Sequence, residues 1–281
     1  MSDAYRGRRL ALLTQHGKER VIAPALEGAL GCTVERALGF DTDTLGTFTR
    51  EVPRAGSQLE AARRKAELAI ELSGADIGLG SEGSVDRHPQ LGFVDRNVEL
   101  IVLVDRARGI EVVGVADGPA PYAHLLTSSF AEASVFAARE SFVDHGFAVR
   151  PDNPDDPRVR KDITTTDALR EAFAAAQAES ATGSVFVELD LRAHRNPRRM
   201  ARIAEAAADL AAKLASTCPE CEGPGFWVIE RLPGMPCRDC GLATDMTLAD
   251  VDGCPSCGHR ATRLRDASAG ADPMWCDYCN P

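Results

Sequence analysis

The 281-residue sequence contains no long apolar segment. None of its apolar runs approaches the roughly 20 residues that a membrane-spanning helix requires. The apolar run that begins at residue 10 is also too short for the hydrophobic region of a secretory signal peptide. We therefore expect a protein of the cytoplasm that makes no contact with a membrane.

Cysteine is scarce in most of the chain. Cys32 is the one cysteine before residue 218, and its apolar neighbours predict a buried core residue. The other eight form four Cys-x-x-Cys pairs: Cys218/Cys221, Cys237/Cys240, Cys254/Cys257 and Cys276/Cys279. A two-residue spacer lets one tight turn direct two thiolates at one ion, and tetrahedral zinc takes four thiolates. The pattern predicts two closed, structural Zn²⁺ sites; a secreted, disulfide-rich module is disfavoured because no signal peptide is recognised.

The sequence leaves open which cysteine pairs share an ion. Consecutive pairing makes one zinc ribbon from Cys218 to Cys240 and a second from Cys254 to Cys279. The spacers of 15 and 18 residues within these ribbons each have room for a short hairpin. The main alternative is an interleaved, cross-braced arrangement of the same pairs, which the sequence does not exclude.

Lysine is absent from residues 216–281, the segment that we call the tail. Five arginines stand there against ten acidic residues, and each zinc ion bound by four thiolates adds further negative charge. Binding to a nucleic-acid backbone needs clustered Lys or Arg side chains. Nucleic acid is therefore an unlikely partner, and we expect the tail to be structural or to contact another protein.

Residues 1–215 have the length of one α/β domain with a substantial core. Apolar periodicity predicts strands at 10–14, 33–38, 76–80, 98–104, 110–115 and 184–191. It predicts helices at 17–30, 57–72, 129–145 and 165–179, and a last helix that begins at Pro197 with Asn196 as N-cap. Loops are expected at 41–50 and 150–157. A hairpin formed by 98–104 and 110–115 predicts a mixed sheet rather than a purely parallel one.

Two lysines stand where a phosphate-binding residue is expected. Lys65 falls on the apolar face of the helix at 57–72, so its ammonium either extends past that face to solvent or points into a cleft toward an anion. Lys18 follows the first strand at the start of the first helix, where the helix N-terminus favours an anion. An ordinary surface lysine is the alternative for Lys18.

Several carboxylates are candidates for metal binding or for activation of water. Glu82 follows the strand at 76–80, where it either faces a ligand or caps a helix. Glu60 belongs to the pattern Ser57-x-x-Glu60, which a capping box alone explains. Glu188 and Asp190 share one face of the strand at 184–191, where they either bind Mg²⁺ or face solvent. Shortly after that strand, His194 either contacts a phosphate or helps to cap the next helix.

A family resemblance rests on three segments: Thr14-Gln-His-Gly-Lys18, Gly56-Ser-Gln-Leu-Glu60 followed by Arg64-Lys65-Ala66, and Ala75-Asp-Ile-Gly-Leu-Gly-Ser-Glu82-Gly-Ser84. Together they resemble the N-terminal half of inosine-triphosphate pyrophosphatase-like proteins, with His16 in place of the usual asparagine. The resemblance implies a two-lobed α/β fold and Mg²⁺-dependent hydrolysis of nucleoside triphosphates. It further implies that Lys18 and Lys65 hold phosphates, and that Glu60 and Glu82 bind metal or activate water.

The whole chain also resembles an uncharacterised bacterial family that joins such a domain to a cysteine-rich tail. We therefore expect a nucleotide pyrophosphatase-like hydrolase with structural zinc sites. The alternative is a non-catalytic protein that binds a nucleotide or another phosphorylated small molecule and contacts a partner through its tail.

Overall fold

The computed structural model describes residues 3–46, 52, 56–87, 92, 94–141 and 144–281. Within them the chain is a mixed α/β protein with three sheets. The expected loop at 41–50 lies partly outside the described residues, and its described part contains the 3-10 turn Thr42–Leu45.

The first sheet has five strands: β1 (Arg9–Leu13), β2 (Thr33–Ala37), β3 (Ile77–Arg87), β4 (Asp95–Asp105) and β5 (Ile110–Pro119). Their order is β2-β1-β3-β4-β5. The first three strands are parallel, whereas β4 pairs antiparallel with both β3 and β5. The sheet is therefore mixed, and the predicted hairpin is confirmed.

Helices cover both faces of this sheet. They are α1 (Glu19–Leu30), α2 (Gln58–Ser73) and α5 (Pro197–Ala215). The alternation of side chains along β1 divides the core: Leu10 and Leu12 join α1 and α5, while Ala11 and Leu13 join α2 on the opposite face. Asn196 caps α5 as predicted, because its side chain accepts a hydrogen bond from a backbone amide of the first turn.

The second sheet is inserted between β5 and α5. Its strands are β6 (His124–Thr127), β7 (Phe147–Pro151), β8 (Arg160–Ile163) and β9 (Val185–Leu189), in the order β6-β9-β7-β8. All of its strand pairs are antiparallel, and it packs with α3 (Phe130–Glu140) and α4 (Thr166–Glu179). After β9, the 3-10 turn Ala193–Arg195 leads back to the first sheet.

Several predicted boundaries were wrong, and three of them have a clear physical cause. The strand expected to end at residue 80 continues to Arg87, because its long antiparallel partner β4 extends the pairing. The helix expected to reach residue 145 ends at Glu140, where Ser141 has a φ of 69° that no α-helix accepts. Residues 150 and 151, expected in a loop, complete β7; a proline is tolerated there because it ends the strand.

The tail forms a third, antiparallel sheet in the order β10-β11-β12. Its strands are β10 (Trp227–Pro233), β11 (Thr247–Gly253) and β12 (Arg260–Leu264), and a 3-10 turn covers Pro273–Trp275. None of the helices in the described parts of the chain is long and apolar enough to cross a membrane.

Candidate functional site

The eight paired cysteines gather into two clusters. Cys218, Cys221, Cys254 and Cys257 form the first, and Cys237, Cys240, Cys276 and Cys279 form the second. In each cluster the four sulfur atoms lie within 4.8 Å of one another. The arrangement is cross-braced, so consecutive pairing is excluded.

The sulfur separations match a tetrahedral metal site. Four Sγ···Sγ distances across the clusters lie between 3.6 and 3.9 Å. Tetrahedral zinc with Zn–S bonds of about 2.3 Å separates its sulfurs by about 3.8 Å. A disulfide requires about 2.05 Å and is excluded. The two four-cysteine clusters are therefore consistent with two zinc ions.

The path of the tail explains the cross-bracing. Each spacer between successive Cys-x-x-Cys pairs contains one strand of the third sheet rather than a hairpin. A strand of seven residues spans about 23 Å, so it carries the chain from one end of the sheet to the other. The first and third pairs consequently meet at one end, and the second and fourth pairs meet at the opposite end.

A second candidate site is a small polar cavity beside the first sheet. It has a volume of about 30 Å³ and lies where β1 and β3 meet α2 and the start of α5. Its walls are formed by Leu13, Thr14, Gln15, His16, Lys18, Thr42, Asp43, Gly46, Lys65, Ser81, Glu82, Arg192 and Arg199. We call this cavity the cationic pocket, because lysine and arginine side chains reach it from four separate segments.

Lys18 reaches the pocket from the N-terminal end of α1. Its side chain is buried, and Nζ lies 3.3 Å from Oγ and 3.4 Å from the carbonyl oxygen of Ser81. Within the described residues, no carboxylate lies within ion-pair distance of this ammonium. Burial, reinforced by the charge of Arg199, lowers the pKa of Lys18 from 10.5 to about 7. The pocket therefore contains a buried amine whose charge is not neutralised directly by any carboxylate of the described residues.

Lys65 and Glu82 form a buried ion pair, with 2.5 Å between Nζ and Oε2. Lys65 lies on the packed face of α2 and does not extend to solvent. Of the two predicted orientations, it therefore adopts the one that points into a cleft. Glu82 lies inside β3 rather than in a loop. The two elements approach closely because β3 carries glycines: a Cβ at Gly78 or Gly80 would lie only 2.0 or 1.9 Å from a carbonyl oxygen of α2.

Arg199 is a pocket residue that the sequence reading missed. It donates to Glu99 from Nε at 2.6 Å, and both side chains are almost fully buried. Its Nη1 donates to the carbonyl of Leu191 at 2.5 Å, which ties β4 to the segment that returns from the second sheet. The signal was present, because Arg199 shares the apolar face of α5 with Ile203 and Leu210, just as Lys65 interrupts the apolar face of α2.

His16 and His194 stack on each other at the mouth of the pocket, with ring centroids 5.0 Å apart. Burial, together with the positive charge of Lys18, lowers the pKa of His16 to about 3. Burial also lowers the pKa of His194. Both rings line an open groove of about 650 Å³, which shares Gln15 and His16 with the pocket.

Three of the predicted carboxylates lie outside the pocket. Glu60 is exposed, and its carboxylate accepts hydrogen bonds from the backbone and hydroxyl of Ser57 in a complete capping box. Glu188 is paired with Arg150 at 3.1 Å. Asp190 is fully buried and paired with Arg192 at 2.6 Å. These contacts account for the three acids without a bound metal.

Asp43 is a pocket carboxylate that the prediction omitted. Its Oδ1 lies 3.7 Å from Nε2 of His16, and burial, together with the charge of Asp41, raises its pKa. Because it stands in a polar turn among threonines, its sequence context gave no sign that it lines a pocket. Asp43 and Glu82 are the two carboxylates of the pocket wall.

The fold and these sites define a class: a mixed α/β protein with a cationic pocket and a cross-braced tail suited to two zinc ions. The chain belongs to the family described as domain of unknown function DUF6671, whose model matches residues 65–281. The matched region contains Lys65, Glu82, Arg199 and all eight paired cysteines, whereas Lys18 and the other pocket residues before residue 65 lie outside it. No curated protein matches the chain.

Proposed function

We propose that the cationic pocket binds a phosphate group of a nucleotide or another phosphorylated small molecule, and that the protein is a Mg²⁺-dependent nucleoside triphosphate pyrophosphatase-like hydrolase. The observation that carries this proposal is the buried ammonium of Lys18, whose hydrogen bonds in the described structure go only to Ser81. A buried charge without a counter-ion is costly, and a bound anion removes that cost.

The arrangement of donors favours a phosphate over a simple carboxylate. Lys18 follows β1, Lys65 projects from α2, Arg192 follows β9, and Arg199 lies in the first turn of α5. Cations from several directions suit the tetrahedral arrangement of phosphate oxygens. A planar carboxylate is bound by a single guanidinium through two parallel hydrogen bonds. Ser81 adds a hydroxyl donor to the same wall.

The dimensions favour a ligand that has a phosphate at one end and a larger body. The pocket has room for two or three water molecules by volume. The body of a nucleotide would have to lie in the adjoining groove, which is about twenty times larger and meets the pocket at Gln15 and His16. The resemblance of the first 85 residues to inosine-triphosphate pyrophosphatase-like proteins supports a nucleotide as this ligand and a two-lobed fold of that type.

Mg²⁺ fits this pocket only when a phosphate group is bound there as well. Mg²⁺ in enzymes uses one or two carboxylates together with substrate phosphates, and Glu82 and Asp43 are the carboxylates that would hold it. The surrounding ammonium and guanidinium groups repel a bare dication. When bound, the ion would neutralise developing phosphate charge and lower the pKa of a coordinated water.

The protein side chains have separable roles in this proposal. Lys65 turns from Glu82 to the incoming phosphate, and Glu82 is then available to orient a water molecule and accept its proton. Lys18 and Arg199 stabilise the charge on the phosphate oxygens during attack by that water. The water attacks the α-phosphorus, the bond from that phosphorus to the bridging oxygen breaks, and the bonding electrons leave with pyrophosphate, so the products are a nucleoside monophosphate and pyrophosphate.

Pyrophosphate release from a panel of nucleoside triphosphates, measured with and without Mg²⁺, tests the proposal. We expect Mg²⁺-dependent release that falls at least about 100-fold in Glu82→Gln, which keeps the size of the side chain but removes the base. Glu67→Gln on the exposed side of α2 is the matched control and should retain activity. Absence of release with every triphosphate, or full activity in Glu82→Gln, would contradict hydrolysis.

Binding without catalysis is the second candidate, and one observation favours it. Glu82 is already neutralised by Lys65, so the pocket is suited to an anion more than to a metal. A triphosphate that raises the melting temperature without being cleaved would support this reading. In either case we propose a protein of the cytoplasm whose zinc-loaded tail is structural or contacts a protein, with nucleic acid disfavoured by the acidic charge of the tail.

A further inference from the structure

An exposed apolar groove lies on the second sheet, away from the cationic pocket. It runs between β6 and α3, has a volume of about 460 Å³ and is walled mainly by Leu125, Val135 and Phe136. Val135 is 70% exposed. β6 is the edge strand of its sheet, and no other strand of the described structure pairs with its outer side. Exposed apolar surface beside an open sheet edge is typical of an interaction site.

The charges on α3 are arranged symmetrically about this groove. Glu132, Val135 and Arg139 follow one another at helical spacing along the exposed side of α3. The midpoint between Glu132 and Arg139 falls between Val135 and Phe136. A two-fold axis through that midpoint places Glu132 of each copy opposite Arg139 of the other and brings the two Val135 side chains together. The stripe is therefore complementary to itself.

We propose that this surface binds a second copy of the chain and forms a two-fold symmetric dimer through antiparallel α3 helices. A two-fold interface uses the same patch on both copies, so it requires the self-complementarity that α3 provides. Val135 of each copy would fill apolar space in the groove of the other, and two Glu132–Arg139 pairs would fix the direction of the helices.

Both charged groups retain bonding capacity for this contact. One oxygen of Glu132 accepts the hydroxyl of Thr127 at 2.5 Å, and a carboxylate has a second oxygen. Arg139 contacts Glu140 at 3.1 Å and lies 5.7 Å from the centre of the Phe136 ring. Its guanidinium has further donors for an acceptor on the second copy. None of these residues lines the cationic pocket, so the dimer does not depend on the proposed activity.

Sedimentation equilibrium with charge-reversal variants tests the dimer. In about 0.15 M salt, where the Debye length is about 8 Å, repulsion between the acidic chains is largely screened. We expect a dimer for the unmodified, zinc-loaded chain. Glu132→Arg alone and Arg139→Glu alone should each weaken dimerisation at least about tenfold, because both interfacial pairs become repulsive.

Mixing the two single variants gives the decisive result. One variant then presents two arginines at positions 132 and 139 and the other presents two glutamates, so both pairs become attractive again. We expect a heterodimer within about threefold of the original affinity. Arg64→Glu on α2 has the same change in charge as Arg139→Glu and should not alter dimerisation.

Two outcomes would overturn the proposal. One is an unmodified chain that stays monomeric up to about 100 µM, which would assign the groove to another partner. The other is a mixture of variants that associates no better than either variant alone. Unchanged melting temperatures of the variants would show that these results do not reflect misfolding.

Discussion

Replacing Lys18 by methionine should stabilise the ligand-free protein, because it removes a buried charge that no carboxylate in the described part of the chain neutralises directly. A pKa of about 7 in place of 10.5 corresponds to a penalty of about 5 kcal/mol for keeping the ammonium charged in the folded chain. This value is an upper bound, since water and side chains relax around buried charges and Ser81 loses a donor. We expect Lys18→Met to raise the free energy of unfolding by about 1–3 kcal/mol at pH 7.

The sign of the pH dependence follows from the lowered pKa. At pH 7 and below, the unfolded chain is charged at Lys18 at no cost, while the folded chain carries the penalty. Between pH 7 and 10.5 the folded chain has lost this proton and the unfolded chain still binds it, so stability rises with pH in this window. The advantage of Lys18→Met should therefore shrink toward pH 10. Urea unfolding at both pH values measures it, and an advantage that is absent or independent of pH would refute the reasoning.

Anion binding should show the opposite dependence. Sulfate is a suitable probe because it stays fully ionised over this range. If only the charged amine holds the anion, affinity should fall about 30-fold between pH 6 and 8.5 as Lys18 loses its proton. Isothermal titration calorimetry measures this fall, and Lys18→Met should bind sulfate weakly at both pH values. An affinity that does not change with pH would show that Lys18 is not the anion-binding group.

Three further predictions concern the tail, the packing of α2 and the capping of α2. Cys218→Ser with Cys257→Ser should leave one zinc ion per chain by metal analysis, whereas Cys218→Ser with Cys240→Ser should leave none, because it disables both clusters. Gly80→Ala should lower the free energy of unfolding by about 2–3 kcal/mol in urea, because the new Cβ would lie 1.9 Å from a carbonyl of α2. Glu60→Ala should cost about 1 kcal/mol by the same assay, through loss of the capping box, and should leave sulfate affinity unchanged.

Each of these predictions has a contrary result. Consecutive pairing of the cysteines would reverse the two zinc contents. Wild-type stability in Gly80→Ala would show that α2 is not pressed against β3 at this position. A loss of sulfate binding in Glu60→Ala would show that Glu60 contributes to the anion-binding site, despite its exposed position.

Local patterns predicted much of the site and failed where partners come from distant segments. A cation on an apolar helix face identified Lys65, because helical periodicity is a local property of the chain. The same test applied to α5 would have identified Arg199. Its partner Glu99 shares the buried face of β4 with Ile101, and a charged residue in such a register also signals an internal ion pair. The pairing itself, across 100 residues, had no local signal.

Glu188 and Asp190 show what side-chain alternation along a strand cannot predict. Period two predicted Glu188 and Asp190 on one face of the strand, but it could not show which side chains lie opposite them. Arg150 on β7 and Arg192 after β9 pair with these acids. The two carboxylates therefore form two separate ion pairs rather than a metal site. The order of strands in the second sheet brings Arg150 to Glu188, whereas Arg192 lies only two residues from Asp190 along the chain.

The sequence by itself determined that eight cysteines form four Cys-x-x-Cys pairs, because that pattern depends on spacing within a few residues. It also determined the mixed nature of the first sheet, because a hairpin joins strands that are close in the chain. The tertiary structure decided how the four cysteine pairs combine. Each spacer folds as one strand that crosses the tail, so alternate pairs meet at the same end. It likewise decided that Lys18, Lys65 and Arg199 share one pocket, since that depends on where β1, α2 and α5 meet in space.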